Sequence, residues 1–129
     1  MPRDSRDIQR EDRIRMIHML ESAQRVARYC AGMTRETLAA DEMRFLAVVK
    51  SIEVIGEAAT KVSQETQTRV RGIDWLGVRR MRHRLIHGYD TIDPARVWDA
   101  AELDVPGLIT LLEAELRPGP TAPENTGSS

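Results

Sequence analysis

Asp41-Glu42-Met43-Arg44-Phe45-Leu46-Ala47-Val48-Val49-Lys50-Ser51-Ile52-Glu53-Val54-Ile55-Gly56-Glu57-Ala58-Ala59 is the stretch whose periodicity decides the fold. Asp41 is a good N-cap, because its short carboxylate accepts an otherwise unpaired N–H of the first turn. Met43, Leu46, Val49, Ile52, Gly56 and Ala59 recur every three or four residues, an apolar stripe that predicts one long helix to about Glu65. Glycine inside a helix costs about 1 kcal/mol against alanine, so Gly56 marks a place where another helix packs closely, with Ala58 and Ala59 just beyond it. Glu53 and Glu57 lie one turn apart near this stripe. They are placed either to pair with arginines of another helix or to face water.

Helical spacing continues on both sides. Met16, Met19, Leu20, Ala23, Val26, Ala27 and Cys30 predict a first helix from about Ser5 to Cys30, widened by Ile14 and Ile17 and stopped by Gly32. Thr34 caps a short second helix to about Ala39. Gln64 to Gly72 is a polar connection. Asp74 caps a fourth helix, Trp75 to about His87, with Leu76, Val78, Met81, Leu85 and Ile86 as apolar members and Gly88 as its stop. Asp93-Pro94 pairs an N-cap with proline at the first helical position. The fifth helix carries Val97, Trp98, Ala101, Leu108, Leu111, Leu112 and Leu116, and Pro106 should kink it. The expected architecture is an all-α bundle of four to five helices over residues 1–116, then a disordered tail at 117–129.

Composition narrows the class. A chain of 129 residues fits one domain, and with 4% aromatic residues its core must be aliphatic, which suits helices. Cys30 is the only cysteine, so neither an internal disulfide nor a cysteine-built zinc site is available, and a buried thiol in a reducing cytosol is the simplest reading. The first residues have no apolar stretch behind their charges, and no run is long enough to span a membrane. A cytoplasmic location is therefore expected. Net charge is −1, yet Arg69, Arg71, Arg79, Arg80, Arg82 and Arg84 crowd a segment holding one acid, Asp74. Such a segment is either a phosphate-facing surface or a solvated helix face.

The chemistry concentrates in Arg82-His83-Arg84-Leu85-Ile86-His87-Gly88-Tyr89. An arginine and a histidine suit RNA cleavage without a metal. Histidine moves a proton near neutral pH, and arginine holds the phosphate and the charge that develops on it. The spacing alone is weak: 17 arginines and 3 histidines give roughly 0.4 such pairs by chance. Arg13 and His18 repeat it mid-helix, with no glycine stop and no tyrosine, and read as a surface pair. On an unbroken helix, five residues leave the side chains of Arg82 and His87 roughly 140° apart. Either the helix loosens at its end or a two-fold dimer completes the site. A histidine at a helix C-terminus would also be favoured as a cation by the dipole.

The blocks Ser51 to Ala59, Ile73-Asp74-Trp75, Met81 to Tyr89 and Thr91-Ile92-Asp93, in that order, resemble the HepT-like family of the HEPN superfamily over roughly residues 8–116. That resemblance implies a helical protein that forms a homodimer with its motifs at the subunit interface and acts as an RNase toxin on an RNA substrate. It also implies a partner, an MntA-type nucleotidyltransferase antitoxin that silences the toxin by transferring AMP onto the motif tyrosine. By position the catalytic pair is Arg82 and His87, the AMP acceptor is Tyr89, and no metal or other cofactor is implied. His83, which stands where the family often has asparagine, joins Glu53 and Glu57 as supporting residues, and Arg79, Arg80 and Arg84 are the candidate RNA contacts. A non-catalytic adapter that presents Tyr89 to a nucleotidyltransferase is the alternative. An ATP-binding sensor is a third reading, without a glycine-rich phosphate loop behind it.

Overall fold

The computed structural model describes residues 4–87 and 91–118, with His87 defined by its backbone alone. The chain runs through α1 (Ser5–Cys30), α2 (Arg35–Ala40), α3 (Glu42–Thr60), α4 (Gln64–Arg69) and α5 (Trp75–Arg79). A single 3-10 turn, His83–Leu85, leads into β1 (Ile86–His87), which pairs with β2 (Thr91–Ile92); α6 (Pro94–Asp99), a π-helical stretch Ala100–Asp104 and α7 (Val105–Leu116) follow. The all-α bundle is as expected, and no helix among the described residues is long and apolar enough to cross a membrane. The expected tail lies almost wholly outside the described residues.

Three long rods build the core: α1, α3 and the continuous run from α6 to α7. Met19, Val26, Val48, Ile52, Ile55, Val97, Val105 and Leu112 are fully enclosed between them. The predicted caps hold. Asp41, Asp74 and Asp93 accept the N–H groups of Arg44, Gly77 and Ala95, and Thr34 forms a capping box with Thr37. Gly32 takes a φ of 74° after α1, the left-handed turn that favours glycine. At one corner, Arg44 donates to both the Asp41 carboxylate and the Tyr29 carbonyl, so α3 runs back antiparallel along α1.

Four expectations change. First, α3 stops at Thr60, and part of the polar connection is a helix, α4. Ser63 caps it, and the buried carboxylate of Asp12 accepts the Ser63 N–H, the Ser63 hydroxyl and the Thr66 hydroxyl at 3.0, 2.6 and 2.5 Å. Second, the helix from Trp75 ends at Arg79 and does not reach His87. Past Arg79 the chain tightens to bonds three residues back, Met81 to Val78 O and His83 to Arg80 O, and further on Leu85 O accepts the Asp93 N–H and Ile86 O the Arg96 guanidinium, both from the start of α6. Third, Met43, Leu46, Leu76 and Leu111, assigned to apolar stripes, are exposed, Met43 at 84%. The buried face of α3 is carried by Val48, Val49, Ser51, Ile52, Ile55, Gly56, Ala58 and Ala59, whose stripe begins a turn later. Ala27, given to the stripe of α1, is likewise exposed. Fourth, the Pro106 kink takes the form of the π stretch. Proline lacks an N–H and crowds the carbonyl four residues back, and the Val105 N–H donates to Ala100 O, five residues back.

Candidate active site

Gly56 positions the motif. A Cβ added there would lie 3.3 Å from Val78 O and 3.5 Å from Arg79 O, so the last turn of α5 rests directly on the backbone of α3. Beyond it the chain tightens. Met81 donates to Val78 O, His83 to Arg80 O and Leu85 to Arg82 O, three residues back in each case. Met81 and Leu85 plug the core, and Arg82, His83 and Arg84 between them are exposed. The motif arginine therefore sits on a tight turn anchored at both ends by buried apolar residues.

His87 follows on extended backbone, registered against Thr91, with Ile86 against Ile92. It does not end a helix, so the helix-dipole argument for its charge does not apply. The loosening expected at the helix end starts seven residues earlier, at Arg80. Tyr89 and Gly88 lie outside the described residues, as does the side chain of His87.

Arg82 lines two adjoining hollows. The larger, about 320 Å³, is walled by Arg15 and His18 of α1 and by Lys50, Glu53, Val54, Glu57, Ala58 and Lys61 along α3. The smaller, about 110 Å³, lies between Gly56, Glu57, Thr60, Arg79, Arg82 and His83. The supporting residues named from the sequence thus gather around the motif arginine: Glu53 and Glu57 on one side, His83 on the other. Glu57 also meets Lys61 at 3.9 Å. The Arg82 guanidinium has no hydrogen bond or ion pair with another described residue.

The candidate RNA contacts do not form one surface. Arg79 is half-buried and donates to Gln67 Oε1 at 2.8 Å. Arg84 turns the other way, donating to Gly77 O at 3.0 Å and approaching Asp104 at 3.9 Å. Arg80 is exposed and lines neither hollow. Arg13 of the repeated spacing donates to Leu116 O, while His18 enters the larger hollow. Arg15 and Lys50, which line the larger hollow, were not singled out from the sequence, and His18 was read there as half of a surface pair. Their signal is the i, i+3 step from Arg15 to His18 and the row Lys50, Glu53, Glu57, Lys61 on one face of α3, which becomes a site only when α1 and α3 are known to be neighbours.

Comparison with known proteins places the chain among ribonuclease-like sequences. The family model described as "Ribonuclease HepT-like" matches residues 19–115. A Methanocaldococcus jannaschii protein whose name reads "putative RNase" is 30% identical over 95 residues, covering 74% of this chain and 78% of that protein. A Thermococcus cleftensis protein named "Probable ribonuclease HepT" is 27% identical over 88 residues, 68% of this chain and 80% of its own length. No solved structure gives a significant match.

Proposed function

Because the chain belongs to the HepT-like ribonuclease family, we propose that it is a metal-independent endoribonuclease, the toxin of a toxin–antitoxin pair, acting as a dimer through Arg82 and His87. The observation that carries this reading is the placement of Arg82. It is an exposed guanidinium without a partner among the described residues, on a turn pinned by Met81 and Leu85, at the junction of two polar hollows. Guanidinium suits this task, since its planar fork donates two parallel hydrogen bonds to a phosphate.

In the proposed reaction the ribose 2′-oxygen attacks the adjacent phosphorus and the 5′-oxygen of the next nucleotide departs. One proton leaves the 2′-hydroxyl and one reaches the leaving oxygen, with no change of oxidation state. The products are a 2′,3′-cyclic phosphate and a 5′-hydroxyl. His87 moves one of these protons, and Arg82 stabilises the charge on the phosphorane oxygens. His83, across the smaller hollow from Glu57, supplies a further donor beside Arg82. Silencing follows from AMP transfer by an MntA-type nucleotidyltransferase, in which the Tyr89 oxygen attacks the α-phosphorus of ATP and pyrophosphate leaves. The added phosphate would repel and obstruct an anionic substrate.

The test is cleavage of total cellular RNA by purified, unmodified protein without added metal, with His87→Ala alongside. A loss of about 10²-fold or more in the variant is expected, the usual scale for a general acid–base residue. Equal activity in both samples would refute the site. Absence of activity in both, with the unmodified state checked by intact mass, would favour an adapter that presents Tyr89 to its partner.

A further inference from the structure

Resting on the ribonuclease reading, we infer that the groove between α1 and α3 seats a single strand of RNA leading to Arg82, with Arg15, His18 and Lys50 as its phosphate contacts and Glu53 as an acceptor for ribose hydroxyls. The groove is built by two antiparallel helices. Arg15 and His18 come from one, and Lys50, Glu53, Val54, Glu57, Ala58 and Lys61 from successive turns of the other. Its volume of about 320 Å³ falls within the roughly 300–1,000 Å³ of small-ligand sites. Arg82 closes it, so a strand lying there runs directly to the proposed reaction centre.

Charge selects the occupant. Four lysines and arginines and one histidine line the groove, against two carboxylates, one of them already beside Lys61. The side chains of Arg15, His18, Lys50 and Arg82 make no hydrogen bond or ion pair with any described residue. Outside the groove, Arg44, Arg69, Arg79, Arg84 and Arg96 are engaged by carboxylates, carbonyls or an amide, whereas the unengaged side chains of Arg6, Arg71 and Arg80 do not line it; what marks the groove is that its unengaged cations stand together along it. Unengaged cations along one groove attract a polyanion. Its apolar floor is Val54 and Ala58, with no aromatic ring on which a base could stack, so the groove follows the backbone and reads little sequence. Glu53 would oppose a phosphate, but a carboxylate accepts a hydrogen bond from a ribose 2′-hydroxyl, the group that separates RNA from DNA. Arg15 and His18 precede the span matched by the family model, so this assignment comes from the groove alone.

The experiment measures binding of a short fluorescein-labelled single-stranded RNA of mixed sequence, and of the same DNA sequence, to full-length His87→Ala protein across a salt series. Arg15→Ala and Lys50→Ala should each reduce the slope of log affinity against log salt by about 0.7, the value for one phosphate contact on a single strand. His18→Ala should weaken RNA binding about tenfold, the scale of losing one hydrogen bond to a charged group. Glu53→Ala should narrow the preference for RNA over DNA. Arg35→Ala, on α2 and away from the groove, should change none of these. Unchanged affinity and slope in the Arg15, His18 and Lys50 variants would overturn the inference. So would lost binding accompanied by a change of molar mass in light scattering, since the groove would then belong to a contact between copies. Cleavage by the unmodified wild-type protein is scored separately. Groove-dependent binding with no cleavage would keep the groove and remove the nuclease reading.

Discussion

Gly56 and Asp12 carry more of the fold than their size suggests. Gly56→Val would place a branched side chain against Val78 O and Arg79 O, backbone atoms that cannot rotate away. Overpacking of this kind costs about 1–3 kcal/mol, and it should also displace the turn that presents Arg82. The expected result is a lowered denaturant midpoint together with weaker RNA binding. Asp12→Ala would strip the acceptor from Ser63 and Thr66 in a buried setting. Leaving such donors unpaired costs about 1–3 kcal/mol, and urea unfolding would measure it. Arg82→Lys keeps the charge and loses the planar fork, so cleavage should fall well below wild type while the unfolding midpoint stays put. At this scale the sequence was readable where chemistry is local. Gly56 and the caps followed from residue type and spacing. Asp12 was not readable, because its partners stand more than fifty positions away and a lone acid in an amphipathic helix looks like surface.

Between Arg79 and Pro94 the elements are set by tertiary partners, and here sequence periodicity misled. Val78, Met81 and Leu85 keep a helical spacing, so a helix through His87 was the natural expectation. The structure keeps those residues buried on a tighter path of three-residue turns, then ties Leu85 O and Ile86 O to the start of α6 through the Asp93 N–H and the Arg96 guanidinium. Arg96 therefore braces Ile86, the residue before the proposed catalytic histidine. Arg96→Met should retain most of the global stability, since the side chain is exposed and its ion pair with Asp93 is 3.7 Å long. It should lower cleavage more than it lowers stability, and would show faster amide exchange at Asp93. Equal amide exchange in the two proteins would count against the brace. Pro106 was legible as a disturbance of the last helix. Its form as five π-helical residues was not, because proline specifies the lost bond and leaves the choice of replacement to packing.

For the molecule as a whole, the all-α class and the helix order came through from composition and caps, whereas the groove did not, since no periodicity states which helices are neighbours. Two described groups with perturbed titration, Asp41 and Cys30, contribute to stability against pH. Hydrogen bonds from the Arg44 backbone and side chain hold the Asp41 carboxyl below the usual carboxylate range. Its contribution is complete above the unfolded value of about 3.9 and disappears as pH falls through the lower folded value. Burial, then the nearby Glu102, pushes the Cys30 thiol up. Its contribution is present below the unfolded value of about 8.5 and is lost as pH rises through the folded one. A thiol reagent should accordingly react slowly with native protein and quickly in denaturant, and prompt reaction in the native state would contradict the enclosed thiol. Finally, α7 lies along α1, with Arg13 reaching the Leu116 carbonyl. A ribosome releases residues in order, at about 5–20 per second. The apolar stripe of α1 must therefore wait for nearly a hundred further residues before its last cover arrives. During that interval the nascent chain offers a sticky, half-dressed helix to chaperones, and the final fold closes only as synthesis reaches α7.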